Sequence, residues 1–308
     1  MPKNIKLNPP DRAWVLTEQR NPRTMNLHRL SVDEIVALIS AEDRAVFTAL
    51  EQARPALTAF IEAAEPRFNA GGRLIYIGAG TSGRLGVLDA SEAPPTFDVP
   101  PGRVVGIIAG GDASLRRSSE GREDDPDGAA PELDALKLTN DDTLLGIAAG
   151  GTTPYVLGGL KSAKERSNGM LTGLLVCSPI PTPAGVDHLI VIPTGAEVLT
   201  GSTRMKAGTA TKLALNTIST TLMIRSGRVY ENLMVDLRAT NDKLRDRAAR
   251  IISTLTGFNR EAAFDLLDRA DGDVKTAVVM QKLGVTREEA VELLKCHGRL
   301  DKALALDS

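Results

Sequence analysis

The chain has 308 residues, of which 42% are hydrophobic and 25% are charged, and its formal net charge is -2. This composition is ordinary for a globular protein of one or two domains, and the charge gives no electrostatic basis for binding nucleic acid or an anionic membrane. The sequence has no apolar run of the roughly 20 residues that span a bilayer, and its N-terminus lacks the apolar core of a signal peptide.

Cysteine and histidine are scarce in this sequence. The two cysteines, Cys177 and Cys296, lie far apart, which argues against a disulfide framework and favours a reducing cytoplasm. The three histidines lack the spacing of metal ligands, so we expect no metal site. Few aromatic residues are available to stack on nucleic-acid bases.

The first 70 residues divide into a polar arm and two helices. Residues 17–24, TEQRNPRT, indicate an arm or a loop. SVDE at 31–34 predicts a capping box, in which Ser31 caps a helix and Glu34 reaches back to it. Apolar residues then recur with helical period, and we predict two helices that end at the glycines 71–72.

Five short apolar runs follow, and four of them lead directly into turns rich in glycine or serine. Continuous apolar strands with such turns are typical of a parallel sheet covered on both faces, so we predict an α/β fold with helices between the strands. The turns then line the carboxyl edge, where open α/β sheets bind ligands. The runs are Leu74–Ile77, Val104–Ile108, Leu144–Ala148, Leu171–Val176 and Leu189–Ile192.

The last hundred residues are predicted to be helical. A long helical pattern runs from about residue 205 to 255. Segments 260–278 and 287–304 resemble each other as short helix–turn–helix units. We therefore predict a small helical bundle at the C-terminus.

The first apolar run leads into GAGTSG, residues 78–83, which has the G-x-G-x-x-G spacing of dinucleotide sites. A dinucleotide site also needs an acid about 20 residues further on, at the tip of the second strand, to bind the ribose hydroxyls. The second strand ends in glycines instead, and Asp112 comes too late, which disfavours an NAD-dependent dehydrogenase. Backbone amides at the start of the following helix still suit a phosphate.

Hydroxyl-bearing residues in three turns indicate the kind of phosphate. One turn follows the first predicted strand, the second follows the third strand, and the last is the segment GSTRMK at 201–206. Neutral donors with few cations suit one phosphate monoester better than a pyrophosphate. The predicted binding residues are Gly80, Thr81, Ser82, Thr152, Thr153, Ser202, Thr203 and Lys206.

Long motifs cover nearly the whole chain in collinear order. They are TEQRNPRT (17–24), GAGTSGRLGVLDASEAPPTF (78–97), EGREDD (120–125), GAEVLTGSTRMKAGTATKLALN (195–216) and GRVYENLMVDLRATNDKL (227–244). Together they resemble the N-acetylmuramic acid 6-phosphate etherase family. The resemblance implies a three-layer sugar isomerase (SIS) domain with a five-stranded parallel sheet, and a small helical domain similar to ubiquitin-associated folds. We accordingly expect an arm with helices (1–55), the SIS domain (56–245) and the helical domain (246–308).

The resemblance also implies an activity. Members of the family are cytoplasmic homodimers of bacterial cell-wall recycling, and they cleave the lactyl ether of N-acetylmuramic acid 6-phosphate without metal or nucleotide. The products are N-acetylglucosamine 6-phosphate and D-lactate. The two catalytic acids of the family match Glu92 and Glu123.

Elimination of lactate and addition of water require acid–base chemistry, which two positioned carboxyl groups can supply. We assign Glu92 as the acid toward the leaving lactate and Glu123 as the base at C2, with Asp124 as the alternative base. A helix after the first strand runs away from the carboxyl edge and carries Glu92 with it. Either the prolines of SEAPP (91–95) end a very short helix, or the site is shared between two subunits.

One departure and two alternatives accompany this interpretation. AGGTT at 149–153 replaces the family's usual ASGRT, so this turn lacks a serine and an arginine, and another cation can substitute. A non-catalytic sugar-phosphate sensor similar to glucokinase regulatory protein is the main alternative, but Glu92 and the chain length favour the enzyme. An aldose–ketose isomerase of the same fold would not explain the etherase-type segments at 195–244.

Overall fold

The computed structural model describes residues 10–117, 120–237 and 241–305. The strands are β1 (Leu74–Gly78), β2 (Val104–Ile108), β3 (Thr143–Ile147), β4 (Leu171–Val176), β5 (His188–Val191), β6 (Val229–Tyr230) and β7 (Leu233–Met234). The α-helices are α1 (Val32–Asp43), α2 (Ala45–Asn69), α3 (Gly80–Phe97), α4 (Ala113–Arg116), α5 (Ala130–Leu136), α6 (Pro154–Arg166), α7 (Lys206–Arg225), α8 (Asp242–Thr256), α9 (Arg260–Arg269), α10 (Val274–Leu283), α11 (Arg287–His297) and α12 (Leu300–Leu304). Within the described ranges, no helix has the length and apolar character needed to cross a membrane.

The first five strands form one parallel sheet in the order β2-β1-β3-β4-β5. Every residue of β1, β3 and β4 is buried, and this is why these segments are continuous apolar runs rather than alternating ones. Each strand lies within one residue of its predicted range. The prediction of a parallel sheet is therefore confirmed.

Helices cover both faces of the sheet. On one face, α2, α3 and α7 share a hydrophobic core with strand side chains such as Tyr76 and Leu145. On the other face, α5 and α6 pack against Ile75 and Leu144, because successive side chains of a strand point in opposite directions. The predicted three-layer α/β architecture is therefore confirmed.

Helix α3 is longer than the sequence predicts. Pro94 and Pro95 were expected to end it, but it continues to Phe97, after which Asp98 adopts the left-handed conformation with φ of 49°. A proline removes a backbone donor from a helix without obliging it to end, and burial of Ala93 and Phe97 in the core holds the last turn. A very short helix ended by SEAPP, the first of the two alternatives for Glu92, is therefore wrong.

A hairpin interrupts the helical pattern predicted from 205 to 255. Helix α7 ends at Arg225, and β6 and β7 then form an antiparallel pair before α8 begins at Asp242. Gly227 has a φ of 79° and Glu231 a φ of 54°, and neither value is compatible with a continuous right-handed helix.

The C-terminal region has its own hydrophobic core, built mainly from α8 to α12. As predicted, α9 and α10 form one helix–turn–helix unit around Gly272, and α11 and α12 form another around Gly298. The core also contains Val235 and Leu237, and the expected boundary after residue 245 falls within α8. The domain division stays a prediction, and its outermost residues, 1–9 and 306–308, lie outside the described ranges.

The N-terminal arm, residues 10–30, packs against loops that lie more than 160 residues later in the chain. The amide of Leu16 donates to Ser178 Oγ at 2.9 Å, just after β4. The hydroxyl of Thr24 donates to the carbonyl of Val198 at 2.8 Å, in the loop between β5 and α7. These contacts hold the arm against the carboxyl edge of the sheet.

Candidate active site

The arm and the turns at the carboxyl edge of the sheet enclose a cavity of about 250 Å³. Its walls come from the arm, from the turns after β1 and β3, from segment 123–124 and from the loop before α7. This volume is below the range of about 300–1,000 Å³ that drug-sized ligands occupy, so it suits one compact molecule. The predicted site residues that line it are Gly80, Thr81, Ser82, Glu123, Asp124, Thr152, Thr153 and Thr203.

The N-terminus of α3 faces this cavity with unused donors. Among the described residues, the amides of Gly80, Thr81 and Ser82 have no protein acceptor, and the residue before the helix, Ala79, has no side chain that could cap it. A Cβ on Gly83 would lie 2.6 Å from the carbonyl oxygen of Gly78, so this glycine allows the helix to begin close against β1. Free amides at the start of a long helix attract an anion.

The N-terminus of α7, at the same edge, already has an internal anion. The carboxylate of Glu197 accepts the amides of Lys206 at 3.0 Å and Ala207 at 2.9 Å. Glu197 is fully buried, and this burial raises the pKa of its carboxyl group although the two amides act to lower it. A substrate anion therefore has no access to these two amides.

The N-terminus of α6 is occupied by the backbone of the acidic segment, EGREDD at 120–125. The amide of Tyr155 donates to the carbonyl of Glu123 at 3.0 Å, and Pro154 has no amide hydrogen to offer. This bond fixes the segment that carries Glu123 and Asp124 at the wall of the cavity. Of α3, α6 and α7, only α3 keeps several amides for a ligand.

Glu92 lies apart from the other predicted site residues. It is exposed on α3, twelve residues after Gly80, which corresponds to about 18 Å along the helix axis, and it is not among the residues that line the cavity. The buried acid of this helix is Asp89, which accepts hydrogen bonds from Tyr76 and Asn216 and ties α3 to the core. The catalytic assignment of Glu92 stays a prediction.

Lys206 lies beneath the site rather than in its wall. Its side chain is only 1% exposed, and its ammonium lies 2.9 Å from Glu42 Oε2. Burial acts to raise the pKa of Glu42, but hydrogen bonds from Lys206, Arg23 and Asn21 outweigh it and hold this pKa below its usual range. The predicted contact of Lys206 with the phosphate does not fit this position, because its charge is already paired. Ser202 is also absent from the lining.

Two charged residues of the arm line the cavity and were not singled out from the sequence. They are Arg12 and Glu18, and Oε2 of Glu18 lies 3.1 Å from where a Cβ of Gly201 would stand. The motif TEQRNPRT (17–24), which contains Glu18, was predicted to be an arm or a loop, but its packing could not be predicted because its contacts are with residues far along the chain.

The arrangement can hold an anion at α3 and transfer a proton through a carboxyl group in the same cavity. Thiol chemistry is not available nearby, because burial raises the pKa of Cys177, just after β4, to about 12. Among the described residues, no group of three or more histidines, cysteines and acids could hold a metal ion.

Comparisons with known proteins identify the family. Residues 56–164 match the family model of the glucokinase regulatory protein N-terminal SIS domain. An N-acetylmuramic acid 6-phosphate etherase of Pectobacterium atrosepticum is 49% identical over 94% of this chain and 96% of its own. One of Deinococcus radiodurans is 48% identical over 92% of each chain. Among solved structures, a phosphoheptose isomerase from Francisella tularensis is 17% identical, with a TM-score of 0.47, over 63% of this chain and 99% of its own.

The two etherases match this chain along almost its whole length, whereas the regulatory-protein model matches only the segment from α2 to α6. The matched region therefore includes the turns at the carboxyl edge of the sheet, the acidic segment and most of the C-terminal helical region. The chain belongs to the N-acetylmuramic acid 6-phosphate etherase family.

Proposed function

We propose that the chain cleaves the lactyl ether of N-acetylmuramic acid 6-phosphate and gives N-acetylglucosamine 6-phosphate and D-lactate. One observation carries the proposal: a single cavity contains both the free amides at the start of α3 and the carboxyl groups of Glu123 and Asp124. An anion site beside an acid suits a sugar phosphate that undergoes proton transfer. The activity is that of a carbon–oxygen lyase.

The phosphate of the substrate binds at the start of α3. The amides of Gly80, Thr81 and Ser82 and the hydroxyls of Thr81 and Ser82 supply the donors. Thr152, Thr153 and Thr203 lie across the same small cavity and add further hydroxyl groups. No nucleotide or metal is needed for this binding, since neutral donors and the helix dipole suit a phosphate monoester.

The chemistry begins with opening of the sugar ring, which exposes an aldehyde at C1 and acidifies the proton on C2. A carboxylate removes that proton, the C3–oxygen bond breaks, and a carboxylic acid protonates the departing lactate oxygen. Water then adds its oxygen to C3 of the unsaturated aldehyde, and C2 regains a proton. One water is consumed for each D-lactate released.

Glu123 is the base at C2 in this proposal, and Asp124 is the alternative. The bond between the Tyr155 amide and the Glu123 carbonyl supports this role, because it fixes the backbone that carries the carboxylate. Glu92 is the acid toward lactate. Its distance from Gly80 along α3 means that Glu92 of one chain does not serve the cavity of that same chain.

A homodimer resolves this distance if the partner subunit supplies Glu92. Leu88 lies one turn before Glu92 on the same face of α3 and is 44% exposed. Leu199, in the loop that contributes Gly201 and Thr203 to the cavity, is 58% exposed. Two exposed leucines, one beside each half of the site, support an interface that joins α3 of one copy to the cavity of the other.

The protein is further proposed to act in the cytoplasm on sugars recovered from the bacterial cell wall. A phosphorylated sugar does not cross a bilayer unaided, so the enzyme and its substrate share a compartment. Cys177 and Cys296 are both free thiols, which fits a reducing compartment.

The activity is tested by incubating the protein with N-acetylmuramic acid 6-phosphate in oxygen-18 water. We expect D-lactate and a product labelled at C3. Glu123→Gln should lower kcat by about 10²- to 10⁴-fold. Asp125→Asn is the matched control, because Asp125 belongs to the same acidic segment but does not line the cavity. Absence of lactate from the wild-type protein would contradict the proposed reaction and leave a sugar-phosphate sensor, as in glucokinase regulatory protein.

The shared site is tested by mixing two inactive variants, Glu92→Gln and Glu123→Gln. If each site takes Glu123 from one subunit and Glu92 from the other, every mixed dimer regains one intact site. Random exchange should then restore about a quarter of wild-type activity. No recovery of activity in confirmed mixed dimers would show that the two glutamates act within one chain. Full activity of the Glu92→Gln variant on its own would show that Glu92 has no part in the mechanism.

A further inference from the structure

Arg12 is the one cation among the described residues that line the cavity. It is exposed, and its guanidinium makes no ion pair or hydrogen bond with any residue that the structure describes. The other charged groups of the lining are three carboxyl groups, those of Glu18, Glu123 and Asp124. Without Arg12, the described wall of the cavity would carry negative charge only.

The backbone of Arg12 is held firmly beside the turn after β3. The amide of Val15 donates to the carbonyl of Arg12 at 2.9 Å, and the side chain of Val15 is buried. A Cβ on Gly150 would lie 3.1 Å from Val15 Cγ1, so this glycine allows the arm to pack closely on the turn. The turn, AGGTT at 149–153, has no cation of its own, and the arm supplies one there.

The substrate carries two anionic groups that need separate partners. Its phosphate has the amides at the start of α3, whereas the Lys206 ammonium and the α7 amides are already engaged. Its lactyl carboxylate would enter a cavity that already has three carboxyl groups. Bringing a further carboxylate there without a cation is costly, because like charges at short range repel and desolvation weakens their screening.

We propose that Arg12 binds the lactyl carboxylate of the substrate. This inference rests on the proposed etherase function and names the group that selects the substrate over its product. A guanidinium offers two parallel donors to a carboxylate, which an ammonium cannot match in geometry. N-acetylglucosamine 6-phosphate has the same phosphate but no carboxylate, so Arg12 does not hold it, and D-lactate leaves from the Arg12 side of the cavity.

The test compares the two sugars by calorimetry in a Glu123→Gln background, which binds substrate with little turnover. Arg12→Gln should weaken binding of N-acetylmuramic acid 6-phosphate by about 10- to 100-fold, the value of a charge-assisted hydrogen-bonded pair. Binding of N-acetylglucosamine 6-phosphate should change by less than about twofold, because its contacts are with α3. Arg12→Lys should recover part of the loss.

Arg20→Gln is the matched control, since Arg20 is another exposed arginine of the arm and does not line the cavity. It should leave the binding of both sugars unchanged. If Arg12→Gln weakened the binding of both sugars equally, Arg12 would be assigned to the phosphate and the inference would be overturned. An Arg12→Gln variant that bound both sugars as tightly as its parent would also overturn the inference. Failure of the etherase function itself is read separately, from absence of lactate with the wild-type protein.

Discussion

Helices α3 and α7 begin at the same edge of one sheet, yet their first turns serve different purposes. At α7 the buried carboxylate of Glu197 accepts two amides, and the Lys206 ammonium pairs with Glu42 below. At α3 no protein group in the described chain accepts the amides of Gly80, Thr81 and Ser82. A helix N-terminus at a ligand-binding edge is thus a site only where the protein has not already supplied the anion. Substitutions at the start of α7 should therefore change the stability of the protein, whereas substitutions at the start of α3 should change substrate binding.

The largest effect is expected at the buried ion pair under α7. Lys206→Met leaves the Glu42 carboxylate buried without its main partner, and the free energy of unfolding should fall by about 3–5 kcal/mol. Urea denaturation measures this change. Lys212→Met, an exposed lysine of the same helix, should change stability little. If Lys206→Met remained as stable as the wild type but bound substrate poorly, Lys206 would be a ligand-binding residue after all.

A smaller loss of stability is expected at the cap itself. Glu197→Ala leaves two buried amides of α7 without an acceptor, which should cost about 1–3 kcal/mol of unfolding free energy. Glu197→Gln keeps a carbonyl acceptor and should lose less. Activity per folded molecule should hold in both variants. Loss of kcat at unchanged stability would instead place Glu197 in the chemistry.

At α3 the effect should appear in KM. Thr81→Val and Ser82→Ala each remove one hydroxyl donor to the proposed phosphate position, and each should raise KM by roughly 2- to 12-fold, equivalent to a net hydrogen bond of about 0.5–1.5 kcal/mol. The free energy of unfolding should not change, because these hydroxyls have no partner within the described chain. Thr209→Val is the matched control, because it removes a hydroxyl from the first turn of α7, at a residue that does not line the cavity. A stability loss without a KM change would mean that the α3 terminus is structural too.

Acid should act oppositely on the two buried glutamates near α7. Glu42 has a lowered pKa in the folded protein, so its stabilisation is present above its usual value of 4.5 and is lost as the pH falls through the lowered pKa. Glu197 has a raised pKa, so the folded state takes up its proton first and gains stability as the pH falls. Unfolding measured at several pH values should show a shallower acid loss in Lys206→Met and a steeper one in Glu197→Gln. If the free energy of unfolding varied with pH in the same way in the wild type, Lys206→Met and Glu197→Gln, these assignments would be contradicted.

Local sequence patterns were sufficient for the sheet and for the glycine-rich turn between β1 and α3. Apolar runs located the strands because each strand is buried along its length, and GAGTSG located the start of α3. The predicted capping box of Ser31 and Glu34 is confirmed, with both hydrogen bonds present. Such features depend on residues a few positions apart, so one sequence contains the whole signal.

Contacts between distant residues were not predictable in the same way. The segment GSTRMK indicated a cation for the phosphate, but Glu42, which binds Lys206, lies 164 residues earlier in the chain. Arg12 and Glu18 likewise face residues of later turns. Pro94 and Pro95 misled for the opposite reason, because core packing of Phe97 outweighed a strong local signal.

The packing of the arm also determines the order in which the protein can be completed. The arm leaves the ribosome well before the groups that hold it against the edge of the sheet, because Ser178 and Val198 are made more than 160 residues after their partners in the arm. Residues 10–30 therefore cannot be fixed against the edge of the sheet until the loop before α7 has been made, and closing such a long loop is slow compared with forming local helices. The cavity acquires Arg12 and Glu18 only at that point, so its walls are complete only after about two thirds of the 308 residues have been made.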